Sequence, residues 1–165
     1  MIFGRPGSGK STFATWLSRS LVFPLHHLDK HFYVNNWVER DYNEFLQIQQ
    51  NIVDTECWIV DGNSTRSLEM RMKRADLVIY FNFPKLICAY RIVKRFLKPN
   101  QSFDDRVPGC KEKIRFPLLK YMWGFEERVA EDIKTLKERY PHVVFKDIRC
   151  DSDLSKLRHE LVGKL

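Results

Sequence analysis

A chain of 165 residues fits one domain and leaves little room for a second. With 44% hydrophobic and 30% charged residues it has a globular composition, and no apolar run approaches the ~20 residues of a membrane-spanning helix. The formal charge is +7, and the excess is local: residues 91–120 hold nine Lys/Arg against three Asp/Glu, while residues 121–165 hold nine of each.

Met1–Phe3 reads as a first strand, and the motif that follows dominates the sequence. Gly4-Arg5-Pro6-Gly7-Ser8-Gly9-Lys10-Ser11 matches G-x-x-x-x-G-K-[ST] (Walker A) at every fixed position. Glycines let successive backbone N–H groups point at phosphate oxygens, and the next helix turns its positive end toward the same anion. Lys10 can reach β- and γ-phosphates and the Ser11 hydroxyl can ligate Mg²⁺. A flexible Gly/Ser turn with an incidental lysine is the plain alternative. Against it, the motif lies between an apolar strand and a helix carrying Phe13, Trp16, Leu17 and Leu21. The expected nucleotide contacts are Gly4, Pro6, Gly7, Ser8, Gly9, Lys10, Ser11 and Thr12, with ATP as ligand. Three residues before Gly4 are few for a central strand, so the natural chain is expected to begin upstream; an in-frame upstream start codon would support this.

Further along, "PLHHLD" is predicted as a second strand ending at Asp29. Residues 41–54 show helical spacing through Phe45, Ile48 and Ile52. "CWIVDGN" and "ADLVIYFNF" are the third and fourth strands, nearly continuous apolar runs as in strands buried on both faces. A helix begins at Pro84, runs to about Leu97 and ends before Pro99, and a polar loop with Pro108 and Gly109 follows. The stripe Leu118, Met122, Phe125, Val129, Ile133 and Leu136 predicts one long helix, with Pro117 at its start or at a kink. "HVVFKDI" is the fifth strand, and a helix capped by Ser152 or Asp151 closes the chain. Strands alternating with helices predict an α/β fold, three layers around a parallel sheet. The four cysteines (Cys57, Cys88, Cys110, Cys150) form no C-x-x-C pair, which speaks against zinc and suits reduced thiols. The first residues read as strand and loop rather than signal peptide, so a cytoplasmic location is expected.

The stretches "GRPGSGKST", "HLDKHFY", "WIVDGNSTRSLEMR", "ADLVIYFNFP" and "PGC" together resemble the adenylate-kinase-like P-loop kinases. Among these the sequence is most similar to the bacterial DNA topology modulation protein (FlaR-related) family. The resemblance implies a five-stranded parallel sheet in the order 2-3-1-4-5 within a single P-loop kinase-like domain, residues 1–165. It also implies an acceptor-binding insert at about 30–56 and a basic lid at about 96–113.

Strand ends of a parallel sheet face the ligand crevice. Asp61 closes the third strand in "IVDG"; the resemblance gives it a place in the magnesium shell with Ser11, and a turn-forming Asp-Gly pair is the alternative. The resemblance likewise implies that Asp29 binds the acceptor hydroxyl or takes its proton, the alternative being a helix or turn cap. His27, Asp29 and His31 alternate, but a strand ending near Asp29 breaks the face a metal would need; His26 and His27 read as polar contacts. Arg91 and Arg95, four apart, share a helix face; the resemblance sends them, with Arg106 from the lid, to the phosphates, while a solvated face is the bland reading. Guanidinium groups suit that work because they stay charged and grip two oxygens. Lys10, Asp29, Arg91, Arg95 and Arg106 are thus the candidate catalytic groups. Asp29, Tyr33, Arg66 and Arg71 are the candidate acceptor contacts, although Arg66 lies one residue later than the adenylate-kinase pattern and Arg71 or Arg74 can equally face water. The aromatics Phe32, Tyr33, Trp37 and Tyr42 either stack on an acceptor or form a small core of their own.

Two functions follow. The first is an ATP- and Mg²⁺-dependent kinase acting, as monomer or homodimer, on a nucleotide, nucleoside or other small hydroxyl compound. The second is a nucleotide-dependent DNA-binding regulator, suggested by the family name and the basic segment, although no helix-turn-helix, zinc-finger or RNA-binding signature occurs.

Overall fold

The structure, a computed structural model, describes residues 1–34, 38–97 and 116–163. Trp37, Arg106, the "PGC" stretch and most of the expected lid lie outside these residues.

Five strands form one parallel sheet: β1 (Ile2–Gly4), β2 (Leu25–His27), β3 (Ile59–Asp61), β4 (Leu77–Phe81) and β5 (Val144–Ile148). Their order is β2-β3-β1-β4-β5, as expected from the sequence. The register places His27 beside Asp61, Asp61 beside Ile2 and Ile2 beside Ile79. Parallel neighbours in register turn their side chains to one face. On that face Ile2, Ile59, Ile79 and Phe81 pack against α1 (Lys10–Leu21), α5 (Lys85–Leu97) and α8 (Asp151–Val162) through Phe13, Leu17, Cys88, Ile92 and Leu157. On the other, Phe3, Val78 and Tyr80 meet α4 (Leu68–Lys73) and α7 (Phe125–Arg139). The period-2 split of β3 and β4 between two apolar layers explains why these two strands read as nearly continuous apolar runs.

A third cluster joins Leu28, Phe45, Ile52 and Val60, with Phe32 and Tyr42 packed against it. It seats α2 (Leu28–Phe32) and α3 (Tyr42–Val53) at the β2 edge. Phe32 and Tyr42 therefore belong to a small core that these helices share with β3. Asp41 caps α3, its carboxylate accepting the N–H groups of Asn43 and Glu44.

Three local expectations are corrected. The second strand stops at His27, and Asp29 lies in the first turn of α2. The cause is packing: Leu28 is buried, and the β3 exit leaves room for it only because Gly62 has no Cβ, which would sit 2.6 Å from that of Leu28. The stripe from Leu118 to Leu136 forms two helices, α6 (Phe116–Trp123) and α7, divided at Gly124. Glycine is the poorest helix former after proline, so the break falls there. Finally, α8 is capped from Cys150, and Asp153 reaches back to accept the N–H groups of Cys150 and Arg149. That carboxylate does the work expected of Ser152 or Asp151. Among the described residues no helix is long and apolar enough to cross a membrane.

Candidate active site

The loop between β1 and α1 sits at the carboxyl end of the sheet, and its backbone is set by glycine. Gly7 and Gly9 have φ of +80° and +96°, in the left-handed region. A Cβ on Gly7 would lie 2.6 Å from the Cys88 carbonyl oxygen, so the loop rests directly on α5. Gly9 caps α1 with no side-chain bond to the first N–H groups of the helix, which leaves them for an anion. Ser8 is buried and its Oγ has no partner. Pro6 and Thr12 flank the loop, half-buried and exposed.

Lys10, the first residue of α1, folds back over the loop with Nζ 3.4 Å from the Arg5 carbonyl oxygen. Burial pushes its pKa below the usual lysine value, while the charges of Asp61 and Asp29 pull it upward. Those two carboxylates and Arg95, whose charge also lowers Lys10, therefore share its electrostatic neighbourhood.

Asp61 is 4% exposed at the end of β3. Its Oδ2 lies 3.0 Å from His27 Nδ1, and its Oδ1 has no partner. Burial favours the neutral acid, but the His27 bond and the Lys10 charge, with Ser11 nearby, hold its pKa below the ordinary aspartate value. The group is an ionised carboxylate beneath the phosphate loop, with one oxygen committed and one uncommitted. Ser11 and Asp61 are thus a donor pair of the hard-oxygen kind that suits Mg²⁺.

The arginines divide. Arg95 stays exposed near Lys10. Arg91 instead donates to the Ser8 carbonyl at 3.1 Å and grips both oxygens of Asp151 at 3.0 Å, over the Phe83 ring. It ties the loop to α8. Arg5, inside the loop and 2% exposed, reaches Glu126 at the start of α7 at 2.9 Å, and Glu126 also accepts from Asn82. Arg71 is fully buried and does not face water: Nε, NH1 and NH2 donate to the carbonyls of Ser67, Gly62 and Ser64. Its guanidinium is spent on shaping the segment after β3, together with buried Gln49, which accepts from Ser67, so it is not placed to grip an acceptor. Arg74 reaches the Val53 carbonyl. Arg66 is exposed on the 3₁₀ turn Thr65–Ser67, its guanidinium 5.5 Å above the Tyr42 ring.

Beyond the end of β2, Asp29 is exposed and electrostatically close to both Lys10 and Tyr121 of α6. Tyr33 meets Phe32 edge-on and bridges to Glu39. His26 and His31 stack loosely at 5.8 Å. Among the described residues no group of three or more His, Cys, Asp or Glu gathers for a metal. Sequence reasoning read His27 as a polar contact at the strand end, as its bond to Asp61 bears out, but named neither that partner nor the places of Tyr121 near Asp29 and of Glu126 against Arg5. For His27 the available signal was the doublet at a strand end; for the other two none existed without the fold.

No family model and no curated protein matches the chain. Among solved structures it resembles shikimate kinase from Bacteroides thetaiotaomicron, with 16% identity, a TM-score of 0.56, and coverage of 98% of this chain and 96% of that one. It also resembles an uncharacterized protein from Eubacterium ventriosum, with 12% identity, a TM-score of 0.53, and coverage of 99% and 97%. What the chain shares with them is a three-layer α/β P-loop fold with strand order 2-3-1-4-5.

Proposed function

We propose that the chain is an ATP-dependent phosphotransferase acting on a small acceptor, within the adenylate-kinase-like group and its DNA topology modulation (FlaR-related) family. One observation carries this reading. Under a glycine-shaped loop at a helix N-terminus lie a lysine and two buried polar atoms, Asp61 Oδ1 and Ser8 Oγ, without protein partners. Buried polar groups are rarely left unsatisfied, and here a water, an ion or a ligand would complete them; their convergence beside a lysine and a helix N-terminus favours an anion with its cation.

In this reading the first N–H groups of α1 and the Lys10 ammonium bind the β- and γ-phosphates. Ser11 and Asp61 hold Mg²⁺, which when bound neutralises phosphate charge. The acceptor oxygen bonds to Pγ while the bond from Pγ to the β,γ-bridging oxygen breaks; ADP leaves, and the hydroxyl proton passes to Asp29. For an acceptor that is already a phosphate Asp29 binds rather than deprotonates. Arg95 supplies charge beside Lys10, joined by Arg106 from the lid. Arg91 holds the loop, and Tyr33 and Arg66 line the acceptor side. Positioning and charge neutralisation account for most of the catalysis in phosphoryl transfer, and these residues supply both.

The test is ADP release from ATP and Mg²⁺ across a panel of nucleosides, nucleotides and small hydroxyl metabolites. At least one acceptor is expected to stimulate it, and Lys10→Ala is expected to lower the stimulated rate at least a hundredfold, in line with loss of one transition-state charge contact. A panel with no response, together with a Lys10→Ala protein indistinguishable from the wild type, overturns the proposal.

A further inference from the structure

We propose that His27 is a positioning residue for the phosphate end of the site: it fixes one oxygen of Asp61 so that the other is presented for a divalent cation. The inference rests on the reading of Asp61 given above and adds a residue that nothing in the phosphate-loop motif contains.

The geometry comes from the sheet. His27 and Asp61 are register partners on β2 and β3, so their side chains leave the sheet next to each other on the face covered by α1. The Nδ1–Oδ2 distance is 3.0 Å, and the side chains are 10% and 5% exposed. An ionised carboxylate only accepts, so Nδ1 carries the proton and donates. With Oδ2 held, rotation of the carboxylate is restrained while Oδ1 stays without a partner.

Two considerations favour this role over simple stabilisation. Replacing both members of a buried hydrogen-bonded pair by well-packed apolar groups is often neutral or stabilising, so isoleucines like the neighbouring Ile2 and Ile79 would serve the core about as well. Asp61 also lies within the field of Lys10. A carboxylate without its histidine would be free to turn Oδ1 away from the place of a cation. Holding Oδ2 on His27 keeps Oδ1 aimed there.

The measurement is calorimetric titration of the full chain with ATP, in Mg²⁺ and in EDTA, for the wild type, His27→Leu and His27→Asn. Partners of metal-ligating groups typically set metal affinity by 10–100-fold. His27→Leu is therefore expected to cut the Mg²⁺-dependent gain in ATP affinity by at least about tenfold and to leave the affinity in EDTA unchanged. His27→Asn, whose amide N–H occupies the place of Nδ1–H, restores most of the gain. Should the leucine protein not fold, His27→Gln replaces it, since its donor lies one bond too far out and the same loss is expected. Equal weakening with and without the metal, or a gain that survives both Leu and Gln, overturns the role of His27 alone. A wild type that binds ATP equally well in Mg²⁺ and EDTA overturns the assignment of Asp61 as well.

Discussion

Gly7 and Gly9 share a loop and a left-handed backbone, yet a methyl group would meet different surroundings at each. At Gly7 it strikes the Cys88 carbonyl oxygen and Ile92 at 2.6 and 2.7 Å, atoms of a packed helix that cannot retreat. At Gly9 the nearest atom is Arg91 NH1 at 4.0 Å. Gly7→Ala therefore combines backbone strain with a clash and is expected to lose well over 1 kcal/mol of stability together with ATP binding. Gly9→Ala carries the strain alone, about 1 kcal/mol, and is expected to keep measurable binding. Thermal melts and calorimetric titration of the two variants check the order; equal damage at both would mean that strain, not contact with α5, governs the loop. Residues of this kind are legible in the sequence because the motif spells out a backbone requirement. Arg71 and His27 are not, since what they touch depends on which strands are neighbours. An arginine after "DG" reads equally well as acceptor ligand, solvated charge or buried clamp, and only its three bonds to carbonyls decide.

Among elements, α1 shows one feature that composition conceals. It ends on Val22, a β-branched residue at φ +57°, 87% exposed, whose N–H caps the Ser18 carbonyl. That position favours glycine. Val22→Gly relieves roughly 1–2 kcal/mol of left-handed strain. It also returns about 0.5–1 kcal/mol through the greater freedom of glycine in the unfolded chain. The side chain buries little, so a net gain of up to about 1 kcal/mol is expected. The melting temperature should rise by about 1–3 °C; a fall would show that the exposed valine has a partner or that the turn rearranges. Element types and order were legible because apolar runs and helical stripes are periodic over many residues. Boundaries were less so. One apolar stripe crosses Gly124 in register and hides the division between α6 and α7. The direct passage from β2 into α2 depends on a contact between Leu28 and Gly62 that no local pattern reveals.

Across the whole molecule, the distribution of charge gives the two functions weighed from the sequence different salt responses. In the described scaffold many basic groups are answered by acids: Arg5 by Glu126, Arg40 by Glu44, Arg91 by Asp151, Arg139 by Glu69, Lys146 by Glu160 and Arg149 by Asp147. The surplus of basic residues instead falls in residues 91–120. A surplus of that size attracts DNA phosphates by releasing counterions, an interaction that does not depend on base sequence. With about six phosphate contacts, affinity for duplex DNA should drop roughly a thousandfold between 50 and 200 mM salt. ATP, in the proposed reading held by backbone N–H groups at short range inside a loop that rests on α5, should respond far less, because close partly buried contacts are weakly screened. Fluorescence anisotropy with two unrelated duplexes, alongside ATP titrations over the same salt range, separates the readings. A steep and equal loss for both duplexes, with ATP binding retained, fits a kinase whose basic segment serves a small polyanion. Salt-resistant retention of one sequence would instead make that segment a DNA-reading surface and the bound nucleotide its switch.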